Sequence, residues 1–553
     1  MSVERNATGA WAPLLHRPFR ALWIAAIAVN LSMWMQNIGA AWMMTELRPD
    51  SPLMVSLVQT AMALPAFLLG LPSGVIADLV NRRRLLLITQ TCSLACACLL
   101  AATALAGGIG AWLLLGLTFA LGCSNAFGMA AWIAANIDSA PKGQIPAAIA
   151  LSTVTPNIAR VVGPAAAGAL IAFAGVPTLF VVVAVGFLIS LGLLRALPDT
   201  DLRPGLPPER LWSGIRSGVR YMQHSAQLRL ALRLVFAFVT AGSAIWALLP
   251  LVARDQLGLA AGGFSLLLGS LGAGAVIAAL QVTRLYRRFS VRRIVTGGGL
   301  LFMAVTALIP VVHNLFVMSA LLFVGGMAWM AVNTTTGTVI QTSAAAWVRA
   351  RVASVYLLVI MGAMAAGGVL WGAIAERMGV GASLWIAAGS IAAGLMLTGR
   401  ARMQMGSESD FSVADTQETG PAASPADHEQ GPVAVEITYH VPAERHEEFV
   451  RAAHELGISR RRNGAIAWRL YRDLEHTDCL AERFLVDSWL DYLRQRNRPT
   501  DVERTLHARA TEFHVGPEPV RIRRMLERPV GSVRWKDETP DRAVADDATI
   551  VRT

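Results

Sequence analysis

Apolar residues fill twelve long runs along the chain, and short polar stretches separate these runs from one another. A transmembrane helix needs about 20 predominantly apolar residues, a length that every run reaches. The predicted spans cover residues 20–46, 53–77, 84–106, 110–136, 145–174, 177–197, 231–253, 262–283, 293–312, 315–340, 351–375 and 380–399. The pattern therefore predicts an all-α polytopic membrane protein with two six-helix halves, 20–197 and 231–405.

Basic residues lie mostly on one side of these predicted spans. With residues 1–19 in the cytoplasm, basic clusters such as Arg82 to Arg84 fall in inner loops. The outer loops then keep only three arginines, which are Arg48, Arg254 and Arg377. Because basic residues next to spans resist translocation, we expect both termini on the cytoplasmic side of a bacterial inner membrane. The lipid bilayer is the first partner that the sequence predicts.

The composition agrees with a membrane protein and argues against a nucleic-acid partner. The 553 residues are 54% hydrophobic and 15% charged, and the mean hydropathy of +0.49 is high for a soluble domain. The formal charge of +11 comes mostly from arginines that flank apolar runs, which membrane topology explains. The sequence shows neither a Walker loop nor a metal-ligand spacing of cysteines. We therefore expect no ATP, metal or other cofactor.

The longest connection within the membrane region is the central loop, residues 198–230. It is rich in proline at first and then places apolar residues at helical spacing, with arginines at the other positions. The apolar positions are Leu211, Trp212, Ile215, Val219 and Met222, and the basic ones are Arg210, Arg216 and Arg220. This spacing predicts an amphipathic helix at the inner headgroups, although a plain linker explains the loop nearly as well.

The sequence after residue 405 changes from apolar to polar. Residues 406–432 lack apolar periodicity and predict a flexible linker. Alternating apolar residues from Val433 onward predict a strand, and residues 433–528 follow a β-α-β-β-α-β order typical of a small ferredoxin-like α+β domain. We expect a disordered tail over 529–553. The histidines of this domain are too scattered for a metal site, and no catalytic constellation is evident.

A charged hinge joins the second and third predicted spans. Gly74, Asp78, Arg82 and Arg83 stand where the signature loop of the major facilitator superfamily has its glycine, aspartate and arginines. The hinge therefore resembles that loop, although Leu79 replaces its first basic residue and Asn81 its second glycine. The resemblance implies two parallel six-helix halves and gives the loop the role of a conformational latch. Arg82-Arg83 also recurs as Arg292-Arg293 in the equivalent loop of the second half.

Arg160 is the most informative single residue because it falls near the middle of the fifth predicted span. A guanidinium at this depth costs about 2.5–3.5 kcal/mol on insertion scales, so it should face water or a partner. We interpret it as a contact for an anionic or catechol-like substrate, or as one member of a coupling network. A buried pair or bonds to carbonyl groups that only tie helices together remain the structural alternative.

Polar and tryptophan side chains in other spans are candidates for the same cavity. Amides in lipid need partners, and Asn30 and Asn37 share one helical face near Trp34. Trp329 and Asn333 repeat this pairing in the tenth span. The predicted substrate-binding set is Arg160, Asn30, Trp34, Gln36, Asn37, Asn125, Trp329 and Asn333. Interhelical hydrogen bonds are an equally good interpretation for any single amide.

A second resemblance concerns the direction and energy source of transport. Gly163, Pro164 and Gly168 match the core of the fifth-helix antiporter motif of the same superfamily, and they suit a bend and a close helix contact. This favours export over import. Proton coupling needs a carboxylate that can titrate, and Glu46 or Asp138 is the candidate. The transmembrane proton gradient would then be the energy source.

The chain as a whole resembles the superfamily branch that contains the enterobactin exporter and macrolide pumps. The resemblance implies a secondary active transporter, a proton-coupled exporter of a siderophore or amphipathic drug, with small molecules as substrates. Arg469 to Asp473 and Trp489 give residues 433–528 a similarity to antibiotic-biosynthesis-monooxygenase domains, which implies dimerisation through this domain. The alternative class is a membrane-anchored sensor or enzyme that acts through the soluble domain.

Overall fold

A computed structural model describes residues 11–140, 144–196, 218–345, 348–398, 431–496 and 500–526. Long helices form the membrane region, and each begins and ends close to a predicted apolar run. These helices are α1 (Arg17–Leu47), α2 (Pro52–Leu79), α3 (Arg82–Leu105), α4 (Ala111–Asp138), α5 (Ile145–Arg195), α6 (Ala226–Leu251), α7 (Ala261–Arg288), α8 (Val291–Leu308), α9 (Leu315–Thr342), α10 (Arg349–Met378) and α11 (Val380–Thr398). The predicted linker and C-terminal tail lie outside the described residues, apart from Gly431 and Pro432.

Eleven helices in the described residues are long and apolar enough to cross a membrane, whereas the sequence predicts twelve spans. The difference arises at α5, which holds both the fifth and the sixth predicted spans. A 51-residue helix would extend about 77 Å, more than twice the thickness of the hydrocarbon core. Its backbone leaves helical geometry at Gly175, where φ is 79°, a value that glycine tolerates. The exact count of twelve stays a prediction.

Capping residues fix where several membrane helices begin. The Ser51 hydroxyl accepts a hydrogen bond from the Met54 backbone N–H at the start of α2. The Asn81 carboxamide oxygen accepts from the backbone N–H groups of Arg83 and Arg84 at the start of α3. These side chains satisfy backbone donors that a helix terminus leaves without partners. Asn81, which departs from the signature loop, is therefore the N-cap of α3.

The soluble domain is a four-stranded antiparallel sheet with helices. Its elements are β1 (Val433–His440), α12 (His446–Arg462), β2 (Ile466–Arg472), β3 (Cys479–Val486), α13 (Trp489–Arg496), α14 (Asp501–Thr511) and β4 (Arg521–Leu526). The sheet order is β2-β3-β1-β4. Alternate residues of β1, beginning with Val433, pack into a core that includes Phe449 and Phe484. This agrees with the predicted β-α-β-β-α-β order, except that two helices replace the second one.

The chain separates into two compact units, which we describe individually. The first contains most of the membrane helices, and the second contains the soluble domain together with residues 212–229 and 339–353. Within the central loop, residues 218–223 are helical. Tyr221 and Met222 are buried in the second unit, so protein rather than lipid headgroups covers this part of the predicted amphipathic helix. Residues 197–217 lie outside the described part of the chain.

Candidate functional site

The two halves of the membrane region meet along two helix pairs, of which α2 and α10 form the first. A Cβ placed on Gly372 would lie 1.7 Å from the Ser56 hydroxyl oxygen. A Cβ on Gly362 would lie 2.7 Å from the Phe67 ring, and the Thr60 hydroxyl donates a 2.9 Å hydrogen bond to the Ala365 carbonyl. Small residues therefore let these two helices approach closely, as is typical of membrane helix contacts.

The second pair consists of α5 and α7. A Cβ placed on Gly168 would lie 2.1 Å from the Ser265 Cβ. Further along the same contact, a Cβ on Gly272 would lie 3.3 Å from the Arg160 carbonyl oxygen. Gly168 of the antiporter-like motif is thus a contact between the halves rather than a feature of one half alone.

These two pairs are equivalent in the repeat that the sequence predicts. In the order of the predicted spans, α2 is the second and α10 is the eleventh. The first part of α5 is the fifth, and α7 is the eighth. A parallel repeat relates the second span to the eighth and the fifth to the eleventh. Each contact is therefore the symmetry counterpart of the other, which is the arrangement expected if the halves move relative to one another as units.

Arg160 lies beside the second of these contacts. Its guanidinium stands 5.9 Å from the ring centroid of Trp34 on α1, a cation–π distance. A Cβ on Gly163, one turn further along α5, would lie 2.6 Å from the Trp34 Cβ, so the missing side chain makes room for the indole. The structure therefore brings together three residues that the sequence singles out separately: Arg160, Trp34 and Gly163.

The charge of Arg160 has no acidic partner in the described part of the chain. The ion pairs found there join other residues, and the Arg160 side chain makes no hydrogen bond with the described residues. The side chain is half-buried. A cation in the middle of a predicted span, with the Trp34 ring beside it, requires water or an anionic partner.

Pro164 and its neighbours have helical backbone angles. The residue at which α5 departs from such angles is Gly175. The predicted bend at Gly163 and Pro164 therefore does not take the form of a break in the helix. A proline inside a helix removes one backbone hydrogen bond. In the structure this segment packs closely against Trp34 and Ser265.

The predicted amides of α1 and α4 occupy different environments. The Asn30 amide nitrogen donates 2.8 Å to the Ala26 carbonyl of its own helix. Gln36 is completely buried, and neither atom of its amide group has a hydrogen-bond partner among the described residues. Asn37 is half-buried and Asn125 is exposed. Asn30 thus satisfies its donor locally, whereas Gln36 is the amide that still needs a partner.

Trp329 and Asn333 belong to a separate group of residues in the second half. The Trp329 ring packs 4.3 Å from Trp246, 5.3 Å from Phe238 and 5.5 Å from Phe302, measured between ring centroids. The Asn333 amide nitrogen donates 3.0 Å to the Trp329 carbonyl. The sequence does not reveal this aromatic cluster, because its members come from three helices.

The hinge after α2 is described only in part. The Arg83 guanidinium donates to the carbonyl groups of Leu194, at 3.5 Å, and Arg195, at 2.7 Å, at the C-terminal end of α5. A cation is favourable at that end of the helix dipole. The surroundings of Gly74 and the side chain of Asp78 are not described, so the latch role stays a prediction, as does the role of Arg82.

Contacts between the halves also close the end of the bundle that the sequence predicts to face outward. A Glu376 carboxylate oxygen accepts hydrogen bonds of 2.9 Å from the Ser51 hydroxyl and from the Leu53 N–H. Glu376 ends α10, so its charge sits at the positive N-terminus of α2. The Arg254 guanidinium donates to the Thr45 carbonyl. The sequence places Arg254 in an outer loop, and no local feature of Glu376 or Arg254 indicates that they join the halves.

The candidates for proton coupling lie close to the ends of helices. Glu46 accepts a 2.8 Å hydrogen bond from the Trp42 indole N–H, one turn earlier in α1. Asp138 ends α4, and its side chain lies outside the described residues. Among the described residues, no three His, Cys, Asp or Glu side chains lie where they could together hold a metal ion.

Comparisons with known proteins agree with this architecture. The model of a family described as transmembrane secretion effector matches residues 8–530. An uncharacterised MFS-type transporter of Bacillus subtilis (strain 168), YfiS, is 24% identical over 200 residues, which are 35% of this chain and 46% of that protein. The match thus spans less than half the length of this relative.

Solved structures of transporters share the fold. The nucleoside transporter NupG superposes with a TM-score of 0.56 at 11% identity, over 69% of this chain and 98% of that one. A POT family transporter in complex with a thioalcohol-conjugated peptide gives a TM-score of 0.56 at 12% identity, over 69% and 95%. At such identities the likeness concerns the fold and carries no substrate.

Proposed function

The chain belongs to the transmembrane secretion effector family of MFS transporters, and from this premise we propose that it is a proton-coupled exporter of amphipathic small molecules that carry a negative charge. Siderophores and acidic drugs are the substrate classes that fit this description. The substrate would bind between the two halves, which would expose it to each side of the membrane in turn.

The environment of Arg160 is the observation that carries this proposal. The guanidinium is held near mid-span beside the Trp34 ring, and no carboxylate of the described residues neutralises it. An anionic group could form charge-assisted hydrogen bonds with the guanidinium. An apolar or aromatic part of the same molecule could pack on the Trp34 indole. Together these two contacts favour an amphipathic acid over a neutral sugar or a cation.

The paired contacts between the halves support an alternating-access mechanism. Both interfaces use small residues that pack closely, such as Gly168 with Ser265 and Gly372 with Ser56. Such contacts can rearrange as rigid bodies move. The hydrogen bonds of Glu376 and Arg254 at the predicted outer end would hold one of the two states, and their rupture would accompany opening on that side.

Proton entry would supply the energy for export. The sequence has no Walker loop, and the Gly163, Pro164 and Gly168 motif resembles that of antiporters. Glu46 and Asp138 are the proposed proton carriers.

The test uses respiring inverted vesicles in which a quenched dye reports the pH gradient. Siderophores, macrolides and small amphipathic acids are added one at a time. The proposal predicts a partial collapse of the gradient that requires this protein and that acidic amphipathic compounds produce most strongly. If no compound causes a collapse while control quenching is intact, proton-coupled export of these substrate classes is wrong.

A further inference from the structure

The soluble domain belongs to a compact unit that also contains two short pieces of the membrane region's chain. These pieces are residues 212–229, which lead into α6, and residues 339–353, which connect α9 with α10. All three of these helices belong to the second half. Specific side chains hold the soluble domain to these two pieces.

Arg220 in the central loop makes the first connection. Its Nη1 donates 2.7 Å to the Gly464 carbonyl, just after α12, and its Nη2 lies 3.4 Å from the Asp487 carboxylate, just after β3. Gly464 has a φ of 116°, a backbone conformation that favours glycine. The Arg220 side chain is only 18% exposed. A single arginine thus binds two loops of the soluble domain at once.

Tyr221 makes the second connection. The Arg462 guanidinium lies 5.4 Å from the centroid of the Tyr221 ring, and the Tyr221 hydroxyl accepts a 3.3 Å hydrogen bond from the Ala345 N–H after α9. Tyr221 is 1% exposed. Burial raises the pKa of this hydroxyl, while the charge of Arg462 opposes the rise. The side chain therefore stays neutral and serves as a packed hydrogen-bonding core for this contact.

Glu503 holds Arg462 in position from within the soluble domain. Its carboxylate lies 2.6 Å from Arg462 and accepts a 2.6 Å hydrogen bond from the Asn463 amide. It also closes the capping box of α14 with Thr500. Two hydrogen bonds from neighbours and the helix cap restrict the motion of the Glu503 carboxylate. The Arg462 guanidinium that it binds is therefore preorganised to contact Tyr221.

Three consecutive arginines show that this arrangement is specific. Arg460 points into the domain, where it lies 3.3 Å from the buried Glu482. Arg461 covers the Trp468 ring at 5.3 Å. Arg462 contacts Tyr221. The first two thus complete the soluble domain, whereas the third reaches a residue outside it.

We infer that Arg220, Tyr221 and the turn at Ala345 form a docking platform that fixes the soluble domain to the cytoplasmic ends of α6, α9 and α10. The flexible linker predicted over 406–432 is then a tether and not the main attachment. The residues of the platform come from the part of the chain that forms the second half. This holds whatever substrate the protein carries.

The test separates docking from tethering in the full chain. A protease site is inserted into residues 406–430, and the protein is cleaved in membrane fragments that are open on both sides. The platform predicts that the cleaved domain stays with the membrane pellet. In the Arg220→Glu, Tyr221→Ala double variant, release should be at least roughly tenfold faster, because a charge-assisted hydrogen bond and a buried ring contact are lost.

The control is Arg509→Glu, which reverses an arginine on the domain surface that is 61% exposed and pairs only weakly with Glu455. This control should be retained like the parent. Protection of the buried Cys479 thiol reports that the released domain is folded. Immediate release of the parent domain, retention of the double variant, or equal release of the control would each overturn the platform. A transport assay is not needed, so the outcome is independent of the proposed export.

Discussion

Gly168 and Ser265 stand at the closest approach of the two halves along α5 and α7, where a Cβ on the glycine would lie 2.1 Å from the serine Cβ. Real Cβ atoms do not come so close, so even alanine at this position must push the helices apart. Since the contact joins the halves, its distortion should affect the transport cycle more than the fold of either half.

We therefore predict that Gly168→Ala lowers transport by roughly tenfold or more at equal expression, since packed interiors respond to a single added methyl group. The matched control is Gly192→Ala, later in the same helix, where a Cβ meets nothing within 4 Å. That variant should transport normally. Comparable losses in the two variants would show that glycine matters for the helix itself and not for the contact with Ser265.

Glu376 should control the opening of the predicted outer end. Glu376 is exposed, so loss of its hydrogen bonds to Ser51 and Leu53 in Glu376→Ala removes at most about 1 kcal/mol. This shifts the equilibrium toward the state open on that side by up to about fivefold. The reporter is Ser56→Cys in a background in which the five native cysteines are replaced.

Ser56 is fully buried against Gly372, so its cysteine should react with an impermeant maleimide faster in Glu376→Ala than in the parent. Arg377→Ala, which removes the neighbouring charge of the same helix end, is the control and should leave the rate unchanged. An unaltered labelling rate in Glu376→Ala would exclude the gate assigned to this carboxylate.

Glu482 should be the most sensitive charged residue of the soluble domain. Its buried carboxylate accepts a 2.8 Å hydrogen bond from the Trp468 indole and lies 3.3 Å from Arg460. Removal of one partner of a buried pair leaves the other charge without compensation, so Glu482→Ala should destabilise the domain by about 3–5 kcal/mol.

The measurement is the temperature at which the Cys479 thiol becomes reactive in the purified full chain. Glu455→Ala is the control because it breaks an exposed pair with Arg509, and it should cost at most about 1 kcal/mol. If both variants lose protection at the same temperature as the parent, the Glu482 pair does not stabilise the domain.

Tyr439 should make the soluble domain sensitive to alkaline pH. Burial raises the pKa of its hydroxyl, and the nearby charge of Glu482 raises it further. The pKa of Tyr439 is thus higher in the folded state than in the unfolded state. The neutral phenol therefore stabilises the fold fully below a pH of about 10, the pKa of a free tyrosine, and this stabilisation is lost as the pH rises further.

The free energy of unfolding of the parent should therefore fall, relative to that of Tyr439→Phe, only above a pH of about 10. Urea unfolding of the full chain, followed by Cys479 reactivity between neutral and alkaline pH, measures the difference. A difference between parent and variant that is constant across the whole range would contradict a buried neutral phenol.

The apolar pattern predicts the membrane helices well because burial in lipid demands long uninterrupted runs. It also predicts Arg160 as unusual, since a charge at mid-span stands out in any sequence. The pattern could not show that Trp34 lies beside this residue or that α5, with its non-helical Gly175, contains both the fifth and the sixth predicted spans. Those facts depend on packing between distant segments.

Other functional contacts leave no local signal at all. Glu376 and Ser51 are separated by 325 positions, and their residue types are ordinary for the end of a helix. Likewise, nothing in the run of Arg460 to Arg462 indicates that each arginine contacts a different set of residues. Such roles follow from tertiary structure, so periodicity and composition cannot reveal them.

Uptake into inverted vesicles under an imposed pH gradient, with an acidic amphipathic compound that is active in the dye assay, tests the central claim most directly. The parent should accumulate the compound only while the gradient persists. Arg160→Ala, expressed to the same level, should lose most of this uptake, because about 1.5–3 kcal/mol of charge-assisted binding is removed. Equal accumulation by parent and variant would contradict a substrate site at Arg160, and accumulation that ignores the gradient would contradict proton-coupled export.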